Sequence, residues 1–359
     1  MMAQKRNWGR KILIAVAVFI AFNFLIAMPV MTVIVYETIF NKRYEPASWT
    51  RFEVSDFEGL SVEECFFPSN EGQTLAGYHY SGGVNSPLGV VVLAHGLGCG
   101  GQNSMMPFAD LFTDSGYLVF SYDATGNDRS DGEDVNGLPQ GVADLDYALR
   151  YVKDCPRYEG LPIFLLGHSW GAYSVGAVLN LHPDVAGAVL ISGADTSLGL
   201  MVEDSKKIVG PLVYPEIPYL ALYERLKFGE YSGYSVLEGF AACDAKIVLV
   251  HSIDDATVPV TIGYDQFYEE YAEDPRFTFV SFDDRGHDHP YCSPAAFERT
   301  ERLNEAYLEF VDEQGLEHSA RTKKVFFEQY EDWVLCFELD PDLCALILQT
   351  FGQCIGAEG

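Results

Sequence analysis

The chain has 359 residues, 48% hydrophobic, 14% aromatic and 21% charged, a composition that excludes wholesale disorder, collagen-like repeats and a small disulfide scaffold. With 23 Lys and Arg against 52 Asp and Glu, the formal net charge is −29. Such a chain repels a polyanion unless a basic patch is segregated on one face, so nucleic acid is not an expected partner.

The amino terminus departs from this balance. All charged residues before position 37 are basic: Lys5, Arg6, Arg10 and Lys11. They precede an apolar run over residues 12–36 whose only ionisable side chain is Tyr36. As a helix the run reaches about 37 Å, enough to cross a bilayer core of about 30 Å with some tilt. It exceeds the apolar core of a cleaved signal peptide and is not followed by a small-residue cleavage site, so an uncleaved anchor is expected. The cations on its N-terminal side place residues 1–11 in the cytoplasm and the remaining chain outside it, at the cell membrane in a single pass. Residues 37–60 read as a polar connector.

Two short strand-like segments, 61–67 and 74–80, flank the turn signal from Pro68 to Gly72 and predict an antiparallel hairpin. From residue 88, short apolar runs alternate with longer helical patterns. Strands are expected at 89–95, 117–123, 163–168, 186–192, 246–252 and 277–283, and their nearly unbroken apolar character suits a mainly parallel sheet with helices on both faces. Val142, Leu145, Leu149 and Val152 mark a crossover helix over 138–153. Residues 195–243, rich in tyrosine, break the alternation and read as a cap insertion. Beyond the domain at 61–318, Phe326, Tyr330, Trp333 and Phe337 suggest one helical stripe in an extension over 319–359, with a second short helix starting near Asp340-Pro341. The eight cysteines contain no CxxC pair or Cys/His cluster at zinc spacing, their pairing is left open, and no metal is expected.

The strand at 163–168 runs directly into Gly167-His168-Ser169-Trp170-Gly171 and then into a helical segment. A GxSxG sequence between strand and helix sets its serine on a sharp elbow at the sheet edge. A serine hydroxyl needs a base, and His287 in Arg285-Gly286-His287-Asp288 follows the strand at 277–283, with His289 the local competitor. A carboxylate that orients the imidazole is expected at Asp255, just past the strand at 246–252. Asp254 alternates to the other side of an extended chain, and Asp195 is a lesser candidate. A competing pattern is Gly96, Gly98 and Gly101, which spell GxGxxG with Asp123 at the end of the next strand, as a dinucleotide site would. That reading leaves Ser169, Asp255 and His287 without a role. The alternative takes the same turn as a source of backbone donors, with the amides of Leu97 and Trp170 facing a developing oxyanion.

The succession LAHGLG, YDATGNDRSDG, LLGHSWG, HSIDDATVP and RGHDH resembles the α/β-hydrolase superfamily, near bacterial esterases and the monoglyceride-lipase-like and serine-aminopeptidase-like groups. The likeness covers about residues 60–315 and includes the chain order nucleophile, acid, histidine. It implies Ser169 as nucleophile, Asp255 as acid, His287 as base, and Leu97 and Trp170 as the oxyanion hole. It also implies hydrolysis of a carboxylic ester through an acyl-enzyme, without a cofactor, the substrate being a small acyl ester or peptide. Gly126-Asn127-Asp128-Arg129-Ser130 departs from the usual GxGxS of these relatives. Two other functions share these residues: a peptidase or amidase on the same triad, and a surface binding protein that kept the fold without turnover.

Overall fold

In the computed structural model, which describes residues 2–48, 51–329 and 331–356, one sheet contains eight strands. They are β1 (Ser61–Pro68), β2 (Thr74–Ser81), β3 (Val90–Ala94), β4 (Leu118–Tyr122), β5 (Ile163–His168), β6 (Gly187–Ile191), β7 (Lys246–Ser252) and β8 (Phe277–Phe282). Their order is β1-β2-β4-β3-β5-β6-β7-β8. The hairpin β1–β2 joins antiparallel to β4, and every other pairing is parallel. The strands alternate between two apolar layers: Val90, Val92 and Ala94 of β3 enter one, Val91 and Leu93 the other. Burial on both faces is why β3 to β7 read as continuous apolar runs, whereas the edge strands β1 and β8 are partly exposed.

The helices are α1 (Met2–Phe22), α2 (Met28–Phe40), α3 (Met106–Asp114), α4 (Leu138–Asp154), α5 (Trp170–Val178), α6 (Ser197–Val209), α7 (Ile217–Phe228), α8 (Val236–Ala242), α9 (Tyr264–Tyr271), α10 (Pro294–Gln314), α11 (Ala320–Phe327) and α12 (Pro341–Ile355). Helices α4, α5 and α8 cover one face of the sheet and α3 and α12 the other. Residues 195–243, expected as a cap insertion, hold α6, α7 and α8; α8 packs into the layer over the sheet, leaving α6, α7 and the 3₁₀ segments beside them as the cap.

Helices α1 and α2 form one rod interrupted by a π turn over Asn23–Ala27. Pro29 accounts for the interruption, since it lacks an N–H and its ring crowds the preceding turn. From Trp8 to Phe40 the rod is long and apolar enough to cross a membrane. Its two ends have different surroundings. Residues Ile12 to Phe22 are broadly exposed, whereas Thr32, Tyr36 and Phe40 are buried against the cap. The Thr32 hydroxyl donates to Glu216 at 2.6 Å, the Tyr36 hydroxyl donates to Glu224 at 3.2 Å, and Lys227 pairs with Glu37 at 2.6 Å. The Tyr219 hydroxyl donates to the Phe24 carbonyl at 2.7 Å.

Glu224 is the buried carboxylate of this junction. It accepts from Tyr36 of α2 and from Ser197 of α6, and Tyr173 of α5 feels its charge. Burial raises its pKa to about 7, against the opposing effect of those two hydrogen bonds. Because the folded value lies above the unfolded one, its contribution is fully present below about pH 4.5 and is lost as pH rises through about 7. Glu224→Gln is therefore expected to flatten the fall in melting temperature between pH 5 and pH 8, a difference on the order of 3 kcal/mol. Thermal melts of the full chain in detergent measure it, and identical slopes for the two proteins would refute the assignment.

The C-terminal extension differs from a single aromatic stripe. Phe326 of α11 packs on Tyr307 of α10 with ring centroids 5.4 Å apart, while Trp333 and Phe337 lie 4.9 and 5.4 Å from Phe52 of the connector. Tyr330 falls outside the described residues. Two separate partners pull the stripe apart, so the helix ends at Phe327 and a 3₁₀ segment follows. Helix α12 is a component of the core: Phe351 is fully buried, 4.3 Å from the Phe164 ring and 5.7 Å from the Phe112 ring. Phe351→Ala is expected to cost about 3–5 kcal/mol. Chemical denaturation checks it, and a loss under about 1 kcal/mol would mean that α12 is dispensable to the sheet. All eight cysteines are free thiols in this structure.

Candidate active site

Ser169 stands where β5 meets α5, at φ 56° and ψ −117°, a region that non-glycine residues occupy at a cost of about 1–3 kcal/mol. The surroundings compel this shape. A Cβ on Gly167 would lie 2.3 Å from the Gly171 carbonyl oxygen, and one on Gly171 would lie 2.0 Å from the Ala94 carbonyl oxygen. Only glycines let the first turn of α5 sit on the ends of β5 and β3. The Ser169 amide donates to Ile191 of β6 at 2.8 Å, which fixes the elbow against the next strand.

His287 and Asp255 come from the loops after β8 and β7, at the same carboxyl edge of the sheet. His287 Nε2 is 2.8 Å from Ser169 Oγ, and His287 Nδ1 is 2.7 Å from Asp255 Oδ2. Asp255 Oδ1 accepts from the amides of Thr257 and Val258, both at 2.8 Å. Burial tends to raise the Asp255 pKa, but the bonds from His251 and His287, the imidazolium charge and the Val258 amide outweigh it and hold the carboxyl well below the usual range. The group therefore stays ionised facing Nδ1, and Nε2 is left free to accept the serine proton.

Several supporting contacts were not evident in the sequence. His168 is buried, and its Nε2–H donates to the His287 carbonyl at 3.0 Å. Its pKa falls to about 4, chiefly through burial and then through the neighbouring His287 charge. Asp254 turns away from the imidazole: its Oδ1 accepts from Ser252 at 2.6 Å and from the Gly286 amide at 2.9 Å, bracing the loop that carries His287. Asp195 accepts from the Leu237 amide at 2.9 Å at the start of α8. His289 packs on Phe297. The signal available for Asp254 and Asp255 was their position past a strand end; nothing local marked the histidine before the serine as a brace.

Leu97 and Trp170 line one cavity with Ser169 and His287, about 340 Å³ in volume, whose apolar wall includes Ile39, Met201 and Ile208. Trp170 opens α5, where first-turn amides have no partner within the helix. Leu97 follows a turn held by His95, whose Nδ1–H donates to the Gly96 carbonyl at 2.9 Å while Nε2 accepts from Ala124 at 3.0 Å. Burial lowers the His95 pKa to about 4, so it serves as a neutral strut.

The dinucleotide pattern has another explanation. Gly101 sits at φ 120° with its missing Cβ only 2.3 Å from Asp123 Oδ1. Asp123 is buried and accepts from the Gln102 amide at 2.8 Å and the Tyr78 hydroxyl at 2.9 Å. Its carboxylate ties the turn to the sheet and is not presented to a ribose. Asp128 and Ser130, in the segment that departs from GxGxS, anchor the connector: Arg51 pairs with Asp128 at 2.8 Å and Arg43 donates to the Ser130 carbonyl at 2.9 Å.

Residues 85–235 match the family described as "Serine aminopeptidase, S33". Among solved structures, an esterase from Pyrococcus furiosus aligns with a TM-score of 0.53 at 18% identity, over 75% of this chain and 98% of that one. Est1E from Butyrivibrio proteoclasticus, with ferulic acid bound, aligns with a TM-score of 0.51 at 17% identity, over 68% of this chain and 98% of that one. The chain has the α/β-hydrolase fold. Within curated proteins, this chain is 35% identical over 91 residues to a monoglyceride lipase homolog of Monkeypox virus, covering 25% of this chain and 32% of that protein. It is 33% identical over 113 residues to the monoglyceride lipase of Rattus norvegicus, covering 30% and 35% respectively. The chain thus spans about one third of the length of the curated relatives it matches.

Proposed function

We propose that the chain is a membrane-anchored serine hydrolase that cleaves a carboxylic ester through a covalent acyl-enzyme. The observation that carries this reading is the continuous relay Ser169–His287–Asp255, with contacts of 2.8 and 2.7 Å. His287 Nε2 takes the Ser169 proton as Oγ adds to the ester carbonyl, and the amides of Leu97 and Trp170 receive the negative charge on oxygen. Collapse expels the alcohol, which takes its proton from His287. Water activated by the same imidazole then adds to the acyl-enzyme and releases the acid. The relatives named as monoglyceride lipases and esterases favour an ester over an amide substrate. The family description as a serine aminopeptidase supports the second reading, a peptidase on the same residues.

The anchor begins at residue 12, after Arg10 and Lys11, and its bilayer-spanning part ends before Thr32, because the polar contacts of Thr32, Tyr36 and Glu37 require a setting outside the hydrocarbon. About 20 residues of helix suffice for that span. The basic residues before it place the amino terminus in the cytoplasm and the hydrolase domain, about 61–318 with its extension, on the other side. A fluorophosphonate probe tests the chemistry: the wild type is expected to be labelled and Ser169→Ala not. Labelling that persists in the variant overturns the assignment. Faster turnover of aminoacyl anilides than of p-nitrophenyl esters would favour the peptidase. Protease treatment of intact cells tests topology, and a domain cleaved only after permeabilisation would reverse it.

A further inference from the structure

The rod that carries the anchor also forms part of the substrate cavity. Ile39, near the end of α2, lies in the wall of the cavity that holds Ser169. A second cavity, of about 400 Å³, runs between α2 and the cap, and Ile39, Met201, Ser205 and Ile208 belong to both. Met31, Val35 and Ile39 line this groove at four-residue intervals, one face of the helix, with Leu212 and Leu220 opposite. Thr32 and Tyr36 border the same groove with their hydroxyls bound to Glu216 and Glu224, and Phe40 is turned into the protein. Met31, Val35, Ile208 and Leu212 remain 52%, 46%, 82% and 76% exposed, an unusual run of apolar surface for water to cover.

The polarity of the ends sets a direction. At one end the groove adjoins the cavity that holds Ser169, through their shared wall of Ile39, Met201, Ser205 and Ile208. Toward the other, Tyr219 of the cap binds the Phe24 carbonyl inside the apolar rod, so the cap reaches the level at which that rod enters the bilayer and where tyrosine is commonly found. Exposed Leu222 and Leu226 on α7 add to the apolar surface of the cap. From Met31 to Ile39 the helix rises about 12 Å, a length that an extended acyl segment can follow.

We propose that α2 and the cap form a track for the acyl chain of an ester dissolved in the bilayer, with the chain along Met31, Val35 and Ile39 and the carbonyl at Ser169. This rests on the serine-hydrolase reading and specifies its substrate class: a lipid acyl ester taken from the leaflet into which the rod is inserted. The anchor helix is then one wall of the binding site as well as a tether. The bilayer itself presents the substrate to the open end of the groove.

The test uses the full chain in phosphatidylcholine vesicles and two fluorophosphonates, one with a short alkyl chain and one with a long chain bearing a terminal diazirine. In both, the Ser169 oxygen displaces fluoride at phosphorus and leaves the chain covalently held. After irradiation, the expected product is an adduct on Ser169 cross-linked within residues 28–40 or 205–220. Val35→Glu and Leu212→Glu, at exposed positions, are expected to lower the ratio of long-chain to short-chain labelling rates tenfold or more. Cross-links confined to other segments, or an unchanged ratio in both variants, overturn the track while the short-chain label on Ser169 leaves the hydrolase reading intact. Labelling of Ser169 by neither probe overturns both.

Discussion

Replacing Ser169 by alanine is expected to reduce kcat/KM for ester hydrolysis by about 10⁴- to 10⁶-fold, leaving only what binding and the backbone donors supply. The magnitude follows from the proposed relay: with no oxygen 2.8 Å from His287 Nε2, the imidazole has no nucleophile to deprotonate. The same position stores strain, because Ser169 holds φ 56° and ψ −117° with a Cβ present. Ser169→Gly should be equally inactive yet about 1 kcal/mol more stable than Ser169→Ala, since glycine enters that region without the steric cost. Steady-state kinetics with p-nitrophenyl butyrate and parallel melts measure the two effects. Residual activity above about 1% in either variant would remove Ser169 from the nucleophile's role.

Asp255→Asn should cost about 10⁴-fold in kcat with little change in fold. The reason lies in how the carboxylate is held. Two backbone amides bind Oδ1, so an asparagine oxygen takes that place and its NH₂ is directed at His287 Nδ1. The imidazole is then forced into the tautomer with hydrogen on Nε2, where it cannot accept the serine proton. Asp254→Asn is a matched control one residue away. Its oxygen can still accept from Ser252 and the Gly286 amide, and a change at the level of one hydrogen bond corresponds to less than about tenfold. Equal losses at 254 and 255 would mean that the two carboxylates share the task, contrary to the geometry.

These two aspartates mark a boundary in what can be read from a chain. Alternation along an extended segment separates Asp254 from Asp255, since neighbours point to opposite sides. Which of them meets an imidazole more than thirty residues later depends on the loop after β8, and Asp254 itself helps to hold that loop through Gly286. In the same way GxGxxG matches a phosphate-binding spelling, and only packing reveals that the absent Cβ of Gly101 leaves room for the Asp123 carboxylate.

Short-range chemistry was legible directly. The strands of the doubly covered sheet are apolar at successive positions, the crossover helix repeats at three and four residues, and the serine elbow needs small residues on both sides of one turn. The apolar rod before residue 40 is equally local, because one helix satisfies its own backbone wherever it lies. What the tertiary structure alone decided involves partners far apart in sequence. The aromatic stripe of the extension divides because Tyr307 and Phe52 compete for it from different elements. Helix α12 becomes sheet covering because Phe351 finds Phe164 and Phe112. Helix α2 leaves the exposed apolar half of the rod and joins the cap because carboxylates at Glu216 and Glu224 lie opposite Thr32 and Tyr36. A hydrogen bond or buried ring has no expression in local periodicity; its energy depends on which surfaces the folded chain brings into contact.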